Sequence, residues 1–390
     1  MKRTLFYISL FFVIALFIIF TVRKKTANSF YKLSGEFFQN NNQPLKAVKW
    51  YNRASDSNHN IDLLLNKADC YSQLDDYTNL VKVYRNICFV TNEESFLKTL
   101  IWLEKETGDF NSGIEDTRKL ISINPNSWRY KQLLVIMMID ADLTNQLKKT
   151  VTDFENNMSK TASNNFQIAK LWQRIDMNSN AVSHLEKCVK QNPANDEWRL
   201  ALADAQTENK QLARALTNLL MIVDNYSDDN ELFRTIGFLY NSLGNDDKAI
   251  EYYRRSIRLN QQDYLALNNL AYILLLQNDN IDEAYELAQS SVQLKQKSFT
   301  VDTLAYAYYK LGKYKTALRY LKKAEKLLIQ EGREIDSEME YHVGIVHAGL
   351  GEFDKATAKI NAALLKDHKL EELLKKEPFY PEIKSRITIK

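Results

Sequence analysis

An all-α chain of stacked helical pairs is the fold class this sequence predicts, and three observations predict it. The 390 residues include only 10 Gly and 5 Pro, too few breakers for a chain rich in tight turns. Small residues recur at a fixed step in helical surroundings, which is the mark of a repeat architecture. A long apolar run at the N-terminus stands apart from the rest. At 45% apolar and 26% charged residues the chain can bury a large core and is not disordered. A formal net charge of +3 is too small to point to nucleic acid.

The first element is the run "MKRTLFYISLFFVIALFIIFTVRKK". From Thr4 to Val22 it is mostly apolar, long enough to cross a hydrocarbon core of roughly 30 Å. Residues 1–25 are therefore expected to be a transmembrane anchor with basic flanks, making the chain a single-pass membrane protein held through residues 4–22. The rival reading is a cleaved signal peptide. It needs a shorter apolar core and a small-x-small site, whereas this core ends in Phe20, Thr21 and Val22 followed by Arg23, Lys24 and Lys25. No Cys follows to accept a lipid. Lys2 and Arg3 precede the run and more basic residues follow it, so the charge balance and the shape of a signal-anchor argue for opposite orientations.

The repeats follow. Aligned on Ala305, steps of 34 lead back through Ala271, Gly237, Ala203, Ala169, Val135 and Ile101, and steps of 33 reach Ala68 and Gly35. Gly344 follows after 39, the extra length falling in "IQEGREIDS". This gives about ten units over residues 26–370. Twelve or thirteen positions after each small residue comes another: Ala47, Gly113, Ala181, Ala215, Ala249, Ala284, Ala317 and Ala356, with Leu80 and Leu147 as departures. A large residue follows four positions later, as in Tyr51, Tyr253, Leu321 and Ile360. Turn signals at Gly108, Gly244, Gly312 and Gly351 separate the helices, and Pro125 and Pro193 close two units. Small residues let the helices of a unit approach, and the large residues between them are expected to fill the groove to the next unit. Residues 371–390, with "KLEELLKKEPFYPEIKSRI" beginning at Lys369, are expected to cap the last unit.

The stretch "LAYAYYKLGKYKTALRYLKKA" and the 34-residue step resemble the tetratricopeptide repeat (TPR), a helix–turn–helix unit. The resemblance covers about nine-tenths of the chain and is strongest from Ala169 to Ala363. It implies an α-solenoid, a right-handed superhelix whose concave face is lined by the first helix of each unit. On that face the residue after the small one gives Phe238, Tyr272 and Tyr306. One turn before lie Arg234, Asn268 and Asp302; one turn after lie Asn241, Leu275 and Tyr309; Trp102 holds the equivalent place near the N-terminus. Phe238, Tyr272 and Tyr306 are expected to form a partly exposed aromatic ladder that takes a protein or peptide partner. The alternative is that these rings only brace neighbouring helices. Phe238 and Phe299 stand where the family's carboxylate-holding clamp would want polar or basic groups.

No catalytic or cofactor signature is present: no Gly-rich phosphate loop, no H-E-x-x-H, no G-x-S-x-G. Cys70, Cys88 and Cys188 form no C-x-x-C pair, and no Cys remains after Cys188 to build the metal-binding knuckle of some membrane-anchored relatives. His342 and His347 diverge on one helix and cannot share a metal; His347 takes the packing position of Tyr308. Asp228–Asp229 and Asp246–Asp247 read as solvated helix caps, and Lys310 as solvent-facing. The function expected is non-enzymatic, without cofactor, metal or small-molecule substrate: a membrane-tethered bacterial scaffold assisting an envelope complex of the secretion, polysaccharide or cytochrome-maturation type. The alternative is a cytoplasm-facing adaptor that delivers a client to a membrane protease or synthase.

Overall fold

The computed structural model describes residues 2–54, 59–91 and 93–387, with side chains from residue 21 onward. All of its regular structure is helical. The order is α1 (Lys2–Asn40), α2 (Pro44–Tyr51), α3 (Ile61–Gln73), α4 (Tyr77–Val90), α5 (Glu94–Glu106), α6 (Phe110–Ile123), α7 (Trp128–Asp140), α8 (Thr144–Asn156), α9 (Ala162–Arg174), α10 (Asn178–Gln191) and α11 (Asp196–Glu208). It continues with α12 (Leu212–Leu220), α13 (Asn230–Ser242), α14 (Asp246–Leu259), α15 (Tyr264–Gln277), α16 (Ile281–Leu294), α17 (Ser298–Lys310), α18 (Tyr314–Gln330), α19 (Ser337–Gly349), α20 (Phe353–Lys366), α21 (Leu370–Leu374) and α22 (Tyr380–Ile383). The first helices of successive units from α5 to α17 begin 34 residues apart, so the sequence register is the structural one.

The chain divides into two compact units, Met1–Met177 and Asn178–Lys390. Within each, the small residue of a first helix is buried: Val135 and Ala169 in the first unit, and Ala203, Ala271 and Ala305 in the second. The large residue of the second helix seats directly on it. A Cβ added to Gly35 would lie 2.2 Å from the Tyr51 ring, one on Gly237 2.9 Å from Tyr253, and one on Gly344 2.6 Å from Ile360. These large residues fill the space between the two helices of their own unit. Short polar side chains start the helices. Asp76 accepts from the Asn79 N–H, Asp109 from Ser112, Asn195 from Trp198, Asp229 from Leu232 and Asn245 from Lys248. Gly244, Gly312 and Gly351 turn the chain between helices at φ of +71° to +78°, a conformation that disfavours a side chain.

The reading of a single-pass membrane protein is overturned. Among the described residues no helix is long and apolar enough to cross a membrane. The run Thr4–Phe20 lies outside the residues whose side chains are described. From Thr21 onward α1 is a repeat helix: it carries Arg23, Lys24, Lys25, Lys32 and Glu36, and it sets Gly35 against Tyr51.

Candidate functional site

The residues singled out on the first helices part company. Phe238 on α13 is 45% exposed and Trp102 on α5 is 51% exposed. Tyr272 on α15 is half-buried. Tyr306 and Tyr309 on α17 are only 3% and 6% exposed, so the expected ladder of three partly exposed rings does not form. Asn268, Asp302 and Leu275 are buried as well. Arg234 is committed to structure: its Nη1 donates to Asp263 Oδ2 at 2.8 Å, and Asp263 also caps α15 by accepting from the Leu265 and Ala266 N–H groups. Asn241 is engaged through its Nδ2 with Asp246.

What buries the α17 tyrosines is distant in sequence. Leu370, Leu374 and Ile383 join the core cluster of Tyr306, Tyr309 and Tyr341, and Phe379, Tyr380 and Ile387 pack against it. Between them Glu377, 7% exposed, accepts hydrogen bonds from the hydroxyls of Tyr309 and, at 3.5 Å, Tyr341. Lys310 pairs with the same carboxylate at 3.6 Å and lies over the Tyr306 and Tyr309 rings, so it is not solvent-facing. Burial, with the Glu377 charge beside them, pushes both phenols far above their ordinary range.

On the N-terminal side of this cluster the rings meet a histidine. His342 on α19 stacks on Tyr306 with centroids 4.4 Å apart, and its Nδ1 lies 2.8 Å from Asp302 Oδ2. Burial pulls the imidazole toward neutrality, but the Asp302 carboxylate outweighs it and leaves the pKa above the ordinary histidine value. Next to this pair is a cavity of about 230 Å³ between α15, α17 and the start of α19. Asn268, Tyr272, Phe299, Asp302, Asp336 and Glu338 line it, and Arg333 contributes from the loop before α19. Burial raises the Glu338 pKa. Asn268 Oδ1 and Asp302 Oδ1 are buried and have no donor. Such acceptors keep their full desolvation cost until something donates to them.

Sequence reasoning placed Asn268, Tyr272 and Asp302 in this site but missed His342, Asp336, Glu338 and Arg333. The register held a usable signal for His342, which lies two residues before Gly344 and so on the face that meets Asp302, three before Ala305. Nothing local marks Glu377. A second cavity, about 720 Å³, opens in the Met1–Met177 unit between α4, α5 and α6. Its floor holds Glu104, fully buried, whose Oε1 accepts from Arg85 at 2.9 Å while Oε2 has no donor.

Two models described as tetratricopeptide repeat match the chain, one over residues 36–222 and one over 235–263 and 302–327. Among curated proteins, 98 residues are 32% identical to the Photosystem I assembly protein Ycf3 of Cyanophora paradoxa, covering 24% of this chain and 56% of that protein. A stretch of 163 residues is 25% identical to Protein CTR9 homolog of Arabidopsis thaliana, covering 42% of this chain and 12% of that one. The chain thus spans less than two thirds of either relative. Among solved structures, the APC/C hetero-tetramer Cut9-Hcn1 aligns at TM-score 0.48 and 17% identity, over 92% of this chain and 76% of that one. A tetratricopeptide repeat protein from Parabacteroides merdae aligns at 0.43 and 16%, over 72% and 96%. With the helical pairs, their 34-residue register and the two family matches, the chain is a tetratricopeptide-repeat protein.

Proposed function

We propose that the chain is a non-enzymatic protein-interaction scaffold, and that its ligand is a polypeptide segment laid across the first helices of the Asn178–Lys390 unit. One observation carries this reading: that face already holds a polypeptide segment, the chain's own residues 370–387. These supply apolar side chains to the tyrosines of α17 and α19 and one carboxylate, Glu377, to their hydroxyls. Such a combination of apolar anchors and a few fixed polar groups is how folded surfaces take extended peptides. The part of the face left for a partner runs through Phe238, Tyr272 and the cavity beside Asn268 and Asp302, with Arg234 and Asp263 as its fixed polar rim. Tyr306 and Tyr309 act from beneath, bracing α17 against α19. A role in assembling or steadying a multi-protein complex is in keeping with the name of the Photosystem I assembly protein that part of the chain resembles.

A photo-crosslinking phenylalanine analogue at Phe238 tests the reading in the cells of origin, with the same analogue at Ile329, 67% exposed on the second helix α18, as control. The expected outcome is one partner, crosslinked through a contiguous segment from position 238 and not from 329. Phe238→Ala should lower recovery of that partner about tenfold or more, as for a buried aromatic anchor. Equal crosslinking from both positions would remove this face from the function.

A further inference from the structure

We propose that the cavity between α15, α17 and α19 is a recognition pocket for the guanidinium of an arginine side chain carried by the bound polypeptide. The inference rests on the groove reading above and adds the chemistry of what enters. Two adjacent first helices each present one buried acceptor oxygen, Asn268 Oδ1 and Asp302 Oδ1, without a donor. Both residues are more than nine-tenths buried, at 6% and 8% exposed, and both line the cavity. The neighbouring walls add the carboxyls of Asp336 and Glu338 and the rings of Tyr272 and Phe299.

The ligand must therefore be a donor, positively charged, and flat enough to lie along aromatic faces while reaching acceptors on two helices. A guanidinium has five N–H groups in a planar fork and meets all three conditions; an ammonium is a single strongly hydrated point. A cation held between carboxylates and aromatic faces away from water also gains more than at an open surface. The volume of about 230 Å³ admits a side chain and not a folded element. The chain's own candidate is Arg333, but its side chain is 53% exposed and faces Glu331 at 3.8 Å.

The full chain labelled at histidine Cε1 provides the readout, because His342 touches Asp302 and is one of only 5 histidines. N-acetyl-arginine methylamide is titrated in and compared with its citrulline analogue, which has the same shape without the charge, and with the lysine analogue. The arginine probe should move the His342 signal saturably, at least tenfold more tightly than either analogue. Asn268→Leu should weaken it at least fivefold. Asn268→Asp, nearly isosteric, should tighten it, and this arm decides if the leucine variant does not fold. Equal binding of citrulline or lysine, no movement of His342, or binding only in Arg333→Ala would each overturn the proposal; the last would mean that the chain's own arginine fills the pocket. A partner that crosslinks at position 238 yet is not competed by the arginine probe sinks this inference alone. Loss of the position-238 crosslink sinks the groove reading beneath it.

Discussion

The two compact units use one register, but they treat one packing position differently. Three residues after the small residue of each first helix, the Asn178–Lys390 unit places Gln206, Tyr240, Leu274, Tyr308 and His347, and the Met1–Met177 unit places Phe38, Tyr71, Glu104, Met138 and Trp172. Glu104 is the outlier. A carboxylate stands where other units put a ring or a long apolar or polar side chain, and beside it lies the cavity of about 720 Å³. In the other unit the corresponding Leu274 is 1% exposed in a continuous cluster. A repeat fold tolerates a broken rule locally because each unit packs only on its neighbours. The break then appears as a void with a buried charge in it.

Glycine substitutions probe the contrast most strongly. In the Asn178–Lys390 unit, Gly344→Ala would bring a Cβ within 2.6 Å of Ile360 Cγ1 and 3.2 Å of the Ile360 backbone nitrogen. Backbone cannot step aside, so a loss of about 1–3 kcal/mol is expected in urea melts. Gly113→Ala in the other unit meets the end of the flexible Met137 side chain at 2.1 Å and nothing else nearer than 3.6 Å. There the loss should stay under about 1 kcal/mol. Equal losses would mean that the two units are packed alike.

Glu104 supplies the next test. Burial, partly offset by Arg85, raises its pKa to about 7 from 4.5. The folded state therefore binds a proton that the unfolded state has released, and stability falls as pH rises from 4.5 to about 7. The expected fall is about 1–3 kcal/mol, read by tryptophan fluorescence, since Trp50, Trp102, Trp128 and Trp172 all lie in this unit. Glu104→Gln should flatten the profile. Glu104→Met restores the side-chain type of the next unit and leaves Arg85 paired with Asp109, at 2.6 Å. It should stabilise at pH 8 by about 1 kcal/mol. Destabilisation by Glu104→Met would mean that the carboxylate–arginine pair holds this unit together.

The fold was legible because the 34-residue step is a local property repeated many times. Asp229 caps α13 as its position suggested, whereas α14 is capped by Asn245 and takes Asp246 and Asp247 into its first turn. The site was legible only in part. Asn268, Tyr272 and Asp302 fell out of the register, because neighbouring first helices share it. The burial of Tyr309 did not, because its hydroxyl is held by Glu377, 68 residues later. No periodicity connects a capping segment to the rings it covers. The same distance explains why Lys310 read as solvent-facing: its partner is that same carboxylate. Glu377→Ala would strand the hydroxyls of Tyr309 and Tyr341, and should cost about 1–2 kcal/mol and speed hydrogen exchange in residues 370–387. Unchanged exchange would place the hold on this segment in Leu370, Leu374 and Ile383 alone.

The smallest effect separates the two units by pH window. His342 in the Asn178–Lys390 unit has a folded pKa above its ordinary 6.5: burial lowers it, and the Asp302 carboxylate raises it by more. Protonation is therefore favoured by folding, so this contribution is fully present below pH 6.5 and is lost as pH rises through the raised value. Glu104 loses stability with rising pH too, but its decline ends near pH 7, about where that of His342 begins. The groups facing the imidazole are Asp302, Asp336 and Glu338 among the acids, with the rings of Tyr272, Tyr306 and Tyr341, and among these Asp302 is in hydrogen-bond contact at 2.8 Å. A histidine NMR titration of the folded chain should then place the His342 midpoint above 6.5, and Asp302→Asn should bring it down as burial takes over. A wild-type midpoint below 6.5 would mean that burial already wins and that His342 is neutral at physiological pH.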